Sequence, residues 1–136
     1  MQEDGQETAD LQIGQVASRT ELSIKTIRHY DEVGLVTPSE RSAGGFRLYT
    51  EADVQRLLVI RRMKPLDFTL DEMRQLLDSL DILSNSQTPS ERTTARAFVA
   101  ECHARAEERC QKLRRQVLYA EELTALLAVH AADARA

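Results

Sequence analysis

Apolar residues at helical spacing in the first third of the chain predict two short helices joined by a tight turn. In residues 13–20 they fall at i, i+3 and i+4, namely at Ile13, Val16 and Ala17. Ser23 suits the N-cap of a second helix that runs to about Val33. The apolar positions of this helix are three residues apart, at Ile24, Ile27, Tyr30 and Val33. Two short helices joined in this way predict a helix-turn-helix.

The next segment has the pattern of a β-hairpin. Gly34 suits the left-handed residue that ends the second helix, and Pro38 opens the segment that follows it. Gly44 and Gly45, preceded by Ala43, are a hairpin turn signal, and residues 47–49 alternate between the two faces of a strand. A hairpin directly after a helix-turn-helix predicts a winged DNA-binding domain.

Three capping signals then predict helix starts. Thr50 with Asp53 is a capping box variant, and the helix it opens stops at Pro65. Thr69 with Glu72 is a full capping box. Residues 88–91, which read TPSE, open a last helix with proline at its first position.

The last helix carries a stripe that implies a partner. No Gly or Pro interrupts it to about residue 129, so it predicts a rod of roughly 60 Å. Apolar or small residues recur every three or four positions, apart from a wider step after the first, where His103 occupies the stripe: Val99, Ala106, Cys110, Leu113, Val117, Ala120, Thr124 and Leu127. Because a domain this small cannot cover so long a stripe, a second copy of the chain is the simplest partner.

Charge is distributed unevenly along the chain. The formal net charge is −4, but Glu3, Asp4, Glu7 and Asp10 place four acids in the first ten residues. Residues 15–64 carry nine Lys and Arg against six Asp and Glu. Nucleic-acid binding depends on such local clusters of cations rather than on the overall charge.

Composition also indicates where the protein works. No apolar run is long enough to span a membrane, and no secretory segment is present, so we expect a cytoplasmic protein without a membrane partner. Two cysteines without a disulfide framework fit a reducing compartment.

The motifs resemble those of the MerR (mercury-resistance regulator) family of bacterial transcription regulators. Residues 26–35 (TIRHYDEVGL), 45–49 (GFRLY) and 68–73 (FTLDEM) carry the resemblance, which covers about 13–77. The long last helix matches the family's dimerisation helix in kind. The chain departs from the pattern at Glu21, where the family often has Gly, and at His29, Pro65 and Asp67.

The resemblance implies a function and a set of contacts. Such regulators bind palindromic promoter DNA as antiparallel homodimers and distort the spacer for RNA polymerase, activating or repressing transcription. The residues this assigns to DNA contact lie on the second helix (Lys25, Thr26, Arg28, His29, Tyr30), on the wing (Arg41, Phe46, Arg47, Tyr49) and beside them (Arg19, Arg61, Lys64).

The predicted fold is therefore mainly α-helical, with a winged helix-turn-helix domain followed by a long dimerisation helix in an antiparallel coiled coil. The predicted divisions are a disordered acidic tail at 1–11, the DNA-binding domain at 12–78, a linker at 79–88, the dimerisation helix at 89–129 and a tail at 130–136.

The two cysteines allow three interpretations. In the first, Cys102 and Cys110 are structural; in the second they sense thiol oxidation; in the third they bind a metal. Eight helical residues separate their backbones by roughly 12 Å, too far for a disulfide or a shared metal within one chain. Cys110 lies on the predicted seam, where free Cys acts as a small hydrophobe. The structural interpretation is favoured, and no metal or cofactor is expected.

Two other functional classes compete with this assignment. An architectural, excisionase-like DNA-binding protein would share the winged motif, but the long helix argues against it. An enzyme would need catalytic groups, and the sequence contains no nucleophile–base pair, carboxylate pair or phosphate loop. Gly44 and Gly45 alone are a weak phosphate-loop signal.

Overall fold

A computed structural model describes residues 8–133 of the chain. Its elements are β1 (Leu11–Gln12), α1 (Ile13–Thr20), α2 (Ile24–Glu32), β2 (Glu40–Arg41), β3 (Arg47–Tyr49), α3 (Glu51–Met63), a 3-10 turn (Lys64–Leu66), α4 (Leu70–Asn85) and α5 (Pro89–Asp133). This confirms the predicted fold class, a winged helix-turn-helix followed by a long helix. Most of the predicted acidic tail (1–7) and the end of the C-terminal tail (134–136) lie outside the described residues.

The helix-turn-helix forms as its capping residues predict. The Ser23 hydroxyl accepts a hydrogen bond of 3.0 Å from the backbone N–H of Thr26 at the start of α2. Glu21 occupies the turn with a φ of 61°, in the left-handed region that favours glycine. Gly34 follows α2 with a φ of 73°, as the sequence predicted. The turn therefore needs a left-handed residue at position 21, although the chain has Glu there.

A three-stranded antiparallel sheet forms the wing, with β3 between β1 and β2. Arg41 pairs with Arg47, and Leu11 pairs with Tyr49. The sequence did not predict β1, because two residues carry no periodicity and pair only with a distant strand. Gly45 has a φ of 84° in the turn between β2 and β3.

The next two helices confirm both capping boxes. The Thr50 hydroxyl accepts from the Asp53 N–H, and the Asp53 carboxylate accepts from the Thr50 N–H. Thr69 and Glu72 exchange the equivalent pair of bonds at the start of α4. The helix α3 ends just before Pro65, as predicted, and a 3-10 turn leads on to α4.

A single core lies under α1, α2, α3 and α4 and extends to the first part of α5. Its fully buried apolar residues are Val16, Ile27, Tyr49, Val54, Leu57 and Ile60. Phe68, Met73, Leu77 and Cys102 continue it toward α5. The winged helix-turn-helix and the start of the long helix therefore share one packed interior.

The predicted linker at 79–88 is shorter in the structure, because α4 remains helical as far as Asn85. Ser79 is buried, and α4 packs along α5 more extensively than any other pair of elements. The Arg92 side chain donates to the carbonyls of Leu83 (2.7 Å) and Ser86 (3.2 Å) and so caps the end of α4 from α5. This packing and capping, which depend on a neighbouring helix, keep the polar segment helical.

The second half of α5 lies apart from the rest of the chain. The helix has 45 residues and is about 68 Å long. From Gln111 to Ala132 every residue is exposed, and these include the large apolar side chains Leu113, Val117, Leu118, Tyr119, Leu123, Leu126, Leu127 and Val129. Within residues 8–133, no helix combines the length and apolar character needed to cross a membrane.

Candidate nucleic-acid interface

The outward face of α2 lines a concave, solvent-open surface of about 500 Å³, the α2 cleft. Its lining residues are Lys25, Thr26, Arg28, His29, Tyr30, Glu32 and Lys64. The N-cap at Ser23 and the burial of Ile27 fix the rotation of α2, so that residues 25, 28 and 29 face solvent. The fold therefore brings six predicted contact residues together on one surface.

The cations of the α2 cleft are available for a ligand. Among the described residues, Lys25, Arg28 and Lys64 have no salt-bridge partner, and all three side chains are exposed. His29 is also exposed, and its ring lies 6.0 Å from that of Tyr30. Three unpaired cations around one exposed helix form a suitable surface for a polyanion.

The wing contacts α2 through Asp31. Phe46 lies at the hairpin turn with 70% of its side chain exposed. Arg47 Nε donates to Asp31 Oδ2 at 2.7 Å, and Arg41 Nη2 donates to the same oxygen at 3.1 Å. The bond to Asp31 raises the pKa of Arg47, so its guanidinium stays charged. The wing thus places two cations against α2 and carries one exposed ring at its turn.

Arg19 and Arg61, which the sequence also assigned to DNA contact, are engaged within the fold. Arg19 forms two hydrogen bonds with the Glu51 carboxylate, at 2.6 and 2.8 Å, which raise the pKa of Arg19 and lower that of Glu51 to about 2. Arg61 donates to the Thr20 carbonyl at 2.7 Å, at the end of α1. Both arginines are partly exposed, but their hydrogen bonds hold α1 against α3.

Two predicted contact residues are buried. Tyr30 is 4% exposed and Tyr49 is fully buried, so both rings pack in the core. Burial raises the pKa of the Tyr49 hydroxyl. Tyr30 lies three residues after Ile27, so its spacing fitted the apolar face of α2 as well as a DNA contact. In the structure it packs on the apolar face. Tyr30 lines the α2 cleft but is almost completely buried there, so neither tyrosine is included in the proposed contacts.

The cysteines lie in different surroundings on α5. Cys102 is buried against the core, and burial raises the pKa of its thiol, which disfavours the reactive thiolate. Cys110 is half-buried. Among the described residues no group of three or more His, Cys, Asp or Glu side chains could hold a metal ion. This environment gives Cys102 the character of a packing residue.

Sequence reasoning did not assign a role to Asp31, although it lies within the quoted motif. Asp31 is on α2, and its carboxylate receives hydrogen bonds from both wing arginines. Arg41 and Arg47 are 10 and 16 positions from Asp31 along the chain, so only the folded hairpin brings them together. The sequence shows only that an acid lies on the second predicted helix and that arginines lie on both strands of the predicted hairpin.

Comparisons with known proteins match this arrangement to one family. The family model described as "MerR HTH family regulatory protein" matches residues 11–80, and the model described as "MerR, DNA binding" matches residues 54–128. CueR, an HTH-type transcriptional regulator of Vibrio cholerae, is 37% identical over 107 residues, which are 79% of this chain and 68% of CueR.

Other relatives match mainly the N-terminal half. The HTH-type transcriptional activator TipA of Streptomyces coelicolor is 47% identical over 66 residues, 48% of this chain and 26% of TipA. ZntR of Escherichia coli is 45% identical over 65 residues, 48% of this chain and 46% of ZntR. The matched region thus spans about a quarter of TipA and about half of ZntR.

Solved structures share the fold. The transcription regulator PbrR691 from Ralstonia metallidurans CH34, solved in complex with lead(II), is 35% identical with a TM-score of 0.52, covering 79% of this chain and 83% of that chain. HiNmlR, a MerR family regulator lacking the sensor domain and bound to promoter DNA, is 22% identical with a TM-score of 0.50, covering 85% and 93%. The second likeness is one of fold alone.

Proposed function

Because the chain belongs to the MerR family of DNA-binding transcription regulators, we propose that it acts as a homodimer on a palindromic promoter site. In this proposal residues 12–78 bind DNA, and the helix at 89–129 joins the two protomers. MerR regulators are not enzymes, which agrees with the absence of catalytic motifs from the sequence. The family assignment also decides against the excisionase-like alternative.

The observation that carries the proposal is the α2 cleft. Its cations Lys25, Arg28 and Lys64 have no salt-bridge partner among the described residues, whereas Arg19 and Arg47 are paired with carboxylates. An α-helix fits the major groove of B-DNA, where Lys and Arg donate to guanine O6 and N7. We therefore place α2 in the major groove, with Lys25, Thr26, Arg28 and His29 toward the bases and Lys64 toward a phosphate.

The wing would contact the neighbouring backbone. Arg47 supplies a charge to a phosphate, and exposed Phe46 lies at the hairpin turn where it would pack on a sugar. Arg41, beside Arg47 across the sheet, adds positive potential. Contacts of this kind fix the register of the domain on the duplex but do not read its sequence.

Dimerisation would account for the exposed half of α5. Leu113 is 37% exposed, and Val117 and Leu127 are 54% and 55% exposed, on a stretch of α5 where every residue from 111 to 132 is exposed within the described part of the chain. Covering such side chains contributes roughly 25 cal/mol for each Å² removed from water. Continuity with Val99 and Ala106, which line an apolar groove beside the core, supports a partner helix along the whole stripe.

The resemblance extends the proposal to promoter mechanism. A dimer that binds both halves of an inverted repeat can bend and untwist the spacer between them, and DNA deformation of this kind depends on the sequence deformed. In this proposal the distorted spacer presents the promoter elements to RNA polymerase, which activates or represses transcription.

One experiment separates the two kinds of contact. Arg47→Ala should weaken binding to all DNA sequences alike and reduce the slope of log affinity against log salt by about one unit per half-site. Lys25→Ala or His29→Ala should instead change the ranking of operator variants by roughly 1–3 kcal/mol. Arg56→Ala is the matched control, because Arg56 pairs with Asp81 on α4. Altered sequence preference in Arg47→Ala, with an unchanged slope, would reverse the assignment of wing and helix.

A further inference from the structure

One carboxylate on α2 accepts hydrogen bonds from both arginines of the wing. Asp31 lies on α2 with 12% of its side chain exposed, and its Oδ2 atom accepts from Arg47 Nε at 2.7 Å and from Arg41 Nη2 at 3.1 Å. This oxygen therefore fixes the position of the hairpin relative to α2. The wing and α2 must contact one duplex together, so their relative position matters for binding.

The two arginines differ in the nitrogens that remain available. Arg41 uses both terminal nitrogens, since Nη2 donates to Asp31 and Nη1 donates to the Gly45 carbonyl at 3.3 Å. Arg47 is held through Nε alone, and within the described residues its two terminal nitrogens have no hydrogen-bond partner. The side chain of Arg47 is 22% exposed. Arg41 thus links the hairpin turn to α2, while Arg47 is held at Nε and keeps both terminal nitrogens available for a ligand.

We propose that Asp31 is a positioning residue, which holds Arg47 so that its terminal nitrogens meet a DNA phosphate, and that Arg41 is a structural link within the wing. The inference deepens the proposed function and rests on it. A guanidinium presents its donors in a rigid plane, so anchoring Nε fixes the direction of the other two nitrogens. Anchoring also removes much of the rotamer entropy that a free arginine would lose on binding.

Simple electrostatics predicts the opposite effect. A carboxylate beside the DNA backbone repels phosphate, so removing it should tighten binding if charge alone mattered. Glu32 supplies the matched comparison, because it is the next residue on α2, is exposed, and has no hydrogen bond or salt bridge among the described residues. Glu32→Gln removes one negative charge from the same helix without releasing Arg47.

The test compares salt-dependent DNA affinity in four variants of the full chain on one inverted-repeat duplex. Asp31→Ala should bind roughly tenfold more weakly per half-site, the size of one lost charge-assisted contact, and lose about one unit of salt slope per half-site. Asp31→Asn keeps an acceptor for Nε and should retain the parent slope. Glu32→Gln should bind more tightly than the parent. Arg47→Ala should lose the same slope as Asp31→Ala.

The outcomes separate failure of the inference from failure of the proposed function. If Arg47→Ala keeps the parent affinity and slope, the wing does not contact phosphate and the proposed function is wrong at that point. If Arg47→Ala loses slope while Asp31→Ala binds as tightly as Glu32→Gln, Asp31 is only a counter-charge and the inference is overturned.

A measurement without DNA provides an independent check that does not depend on binding. The Nε–H proton of Arg47 should exchange slowly with solvent in the ¹⁵N-labelled parent and at least tenfold faster in Asp31→Ala. Circular dichroism of each variant establishes that it is folded. Equal exchange rates in the folded parent and folded Asp31→Ala would overturn the anchoring of Arg47.

Discussion

The joint between the DNA-binding domain and α5 yields a quantitative stability prediction. Phe68 is 8% exposed, and two arginines of α5 stack on its ring, with Arg105 Cζ at 4.7 Å and Arg109 Cζ at 5.5 Å from the centroid. Arg105 also forms two hydrogen bonds with the Glu72 carboxylate, at 2.7 and 3.2 Å, and Arg109 donates to the Leu66 carbonyl. One ring therefore couples the two parts of the molecule.

Replacing Phe68 by Leu keeps an apolar side chain in place and removes the aromatic face. Each cation–π contact at a partly exposed site contributes about 0.5–1 kcal/mol, so the two together amount to about 1–2 kcal/mol. Leucine is smaller than phenylalanine, and the small cavity it leaves adds about 1 kcal/mol. We therefore expect Phe68→Leu to lower the free energy of unfolding by about 2–3 kcal/mol, a large part of the stability of a small domain.

The assay is urea unfolding at one fixed protomer concentration, because dissociation of the proposed dimer would contribute to the measured stability. Met73→Leu is the control, since Met73 is 4% exposed and the change conserves volume without touching an arginine. A double-mutant cycle of Phe68→Leu with Arg105→Met should give a coupling energy of about 0.5–1 kcal/mol. Equal losses in Phe68→Leu and Met73→Leu, with no coupling to Arg105, would refute the role of the ring.

Three further predictions concern the dimer, the thiols and acid stability. Leu113→Glu with Val117→Glu should give monomers in analytical ultracentrifugation, because it buries unpaired charges; a parent-like dimer would contradict the interface. Cys102→Ser with Cys110→Ser should change only stability, and in vitro transcription with peroxide, diamide, zinc or copper should not respond; a parent response lost in this variant would make the thiols sensors. The Arg105 bond lowers the pKa of Glu72 from 4.5 to about 2, so this carboxylate stabilises the fold above pH 4.5 and the stabilisation is lost as pH falls toward 2. Glu72→Gln should therefore differ from the parent in urea unfolding most above pH 4.5, and a constant difference down to pH 2 would contradict this linkage.

Local signals in the sequence predicted the helices well. Capping boxes such as Thr50 with Asp53 and Thr69 with Glu72 satisfy backbone groups within four residues, so the pattern and the structure coincide. The left-handed turn residues at Glu21 and Asp67 fall at two of the positions where the chain departs from the family pattern. At these positions the backbone conformation is kept without glycine.

Features that depend on distant neighbours were harder to predict. The strand β1 exists only because β3 lies beside it, and α4 extends to Asn85 because α5 packs along it. The same distinction applies to the candidate contact residues: some positions follow from local helix spacing, and others depend on tertiary contacts. Lys25 and Arg28 fall between the predicted apolar positions of α2 and are exposed in the structure, whereas the burial of Tyr49 and the hydrogen bond from Arg47 to Asp31 depend on the folded wing.

The most direct test of the central claim is selection of a binding site from random duplex DNA, followed by measurement of how many protomers bind the selected site. The account predicts an inverted repeat occupied by two protomers, with protection of major-groove bases in both halves and of the flanking backbone. Loss of the unpaired cations in Lys25→Ala with Arg28→Ala should abolish this selection. Binding of single protomers, or selection of no common sequence, would contradict the account.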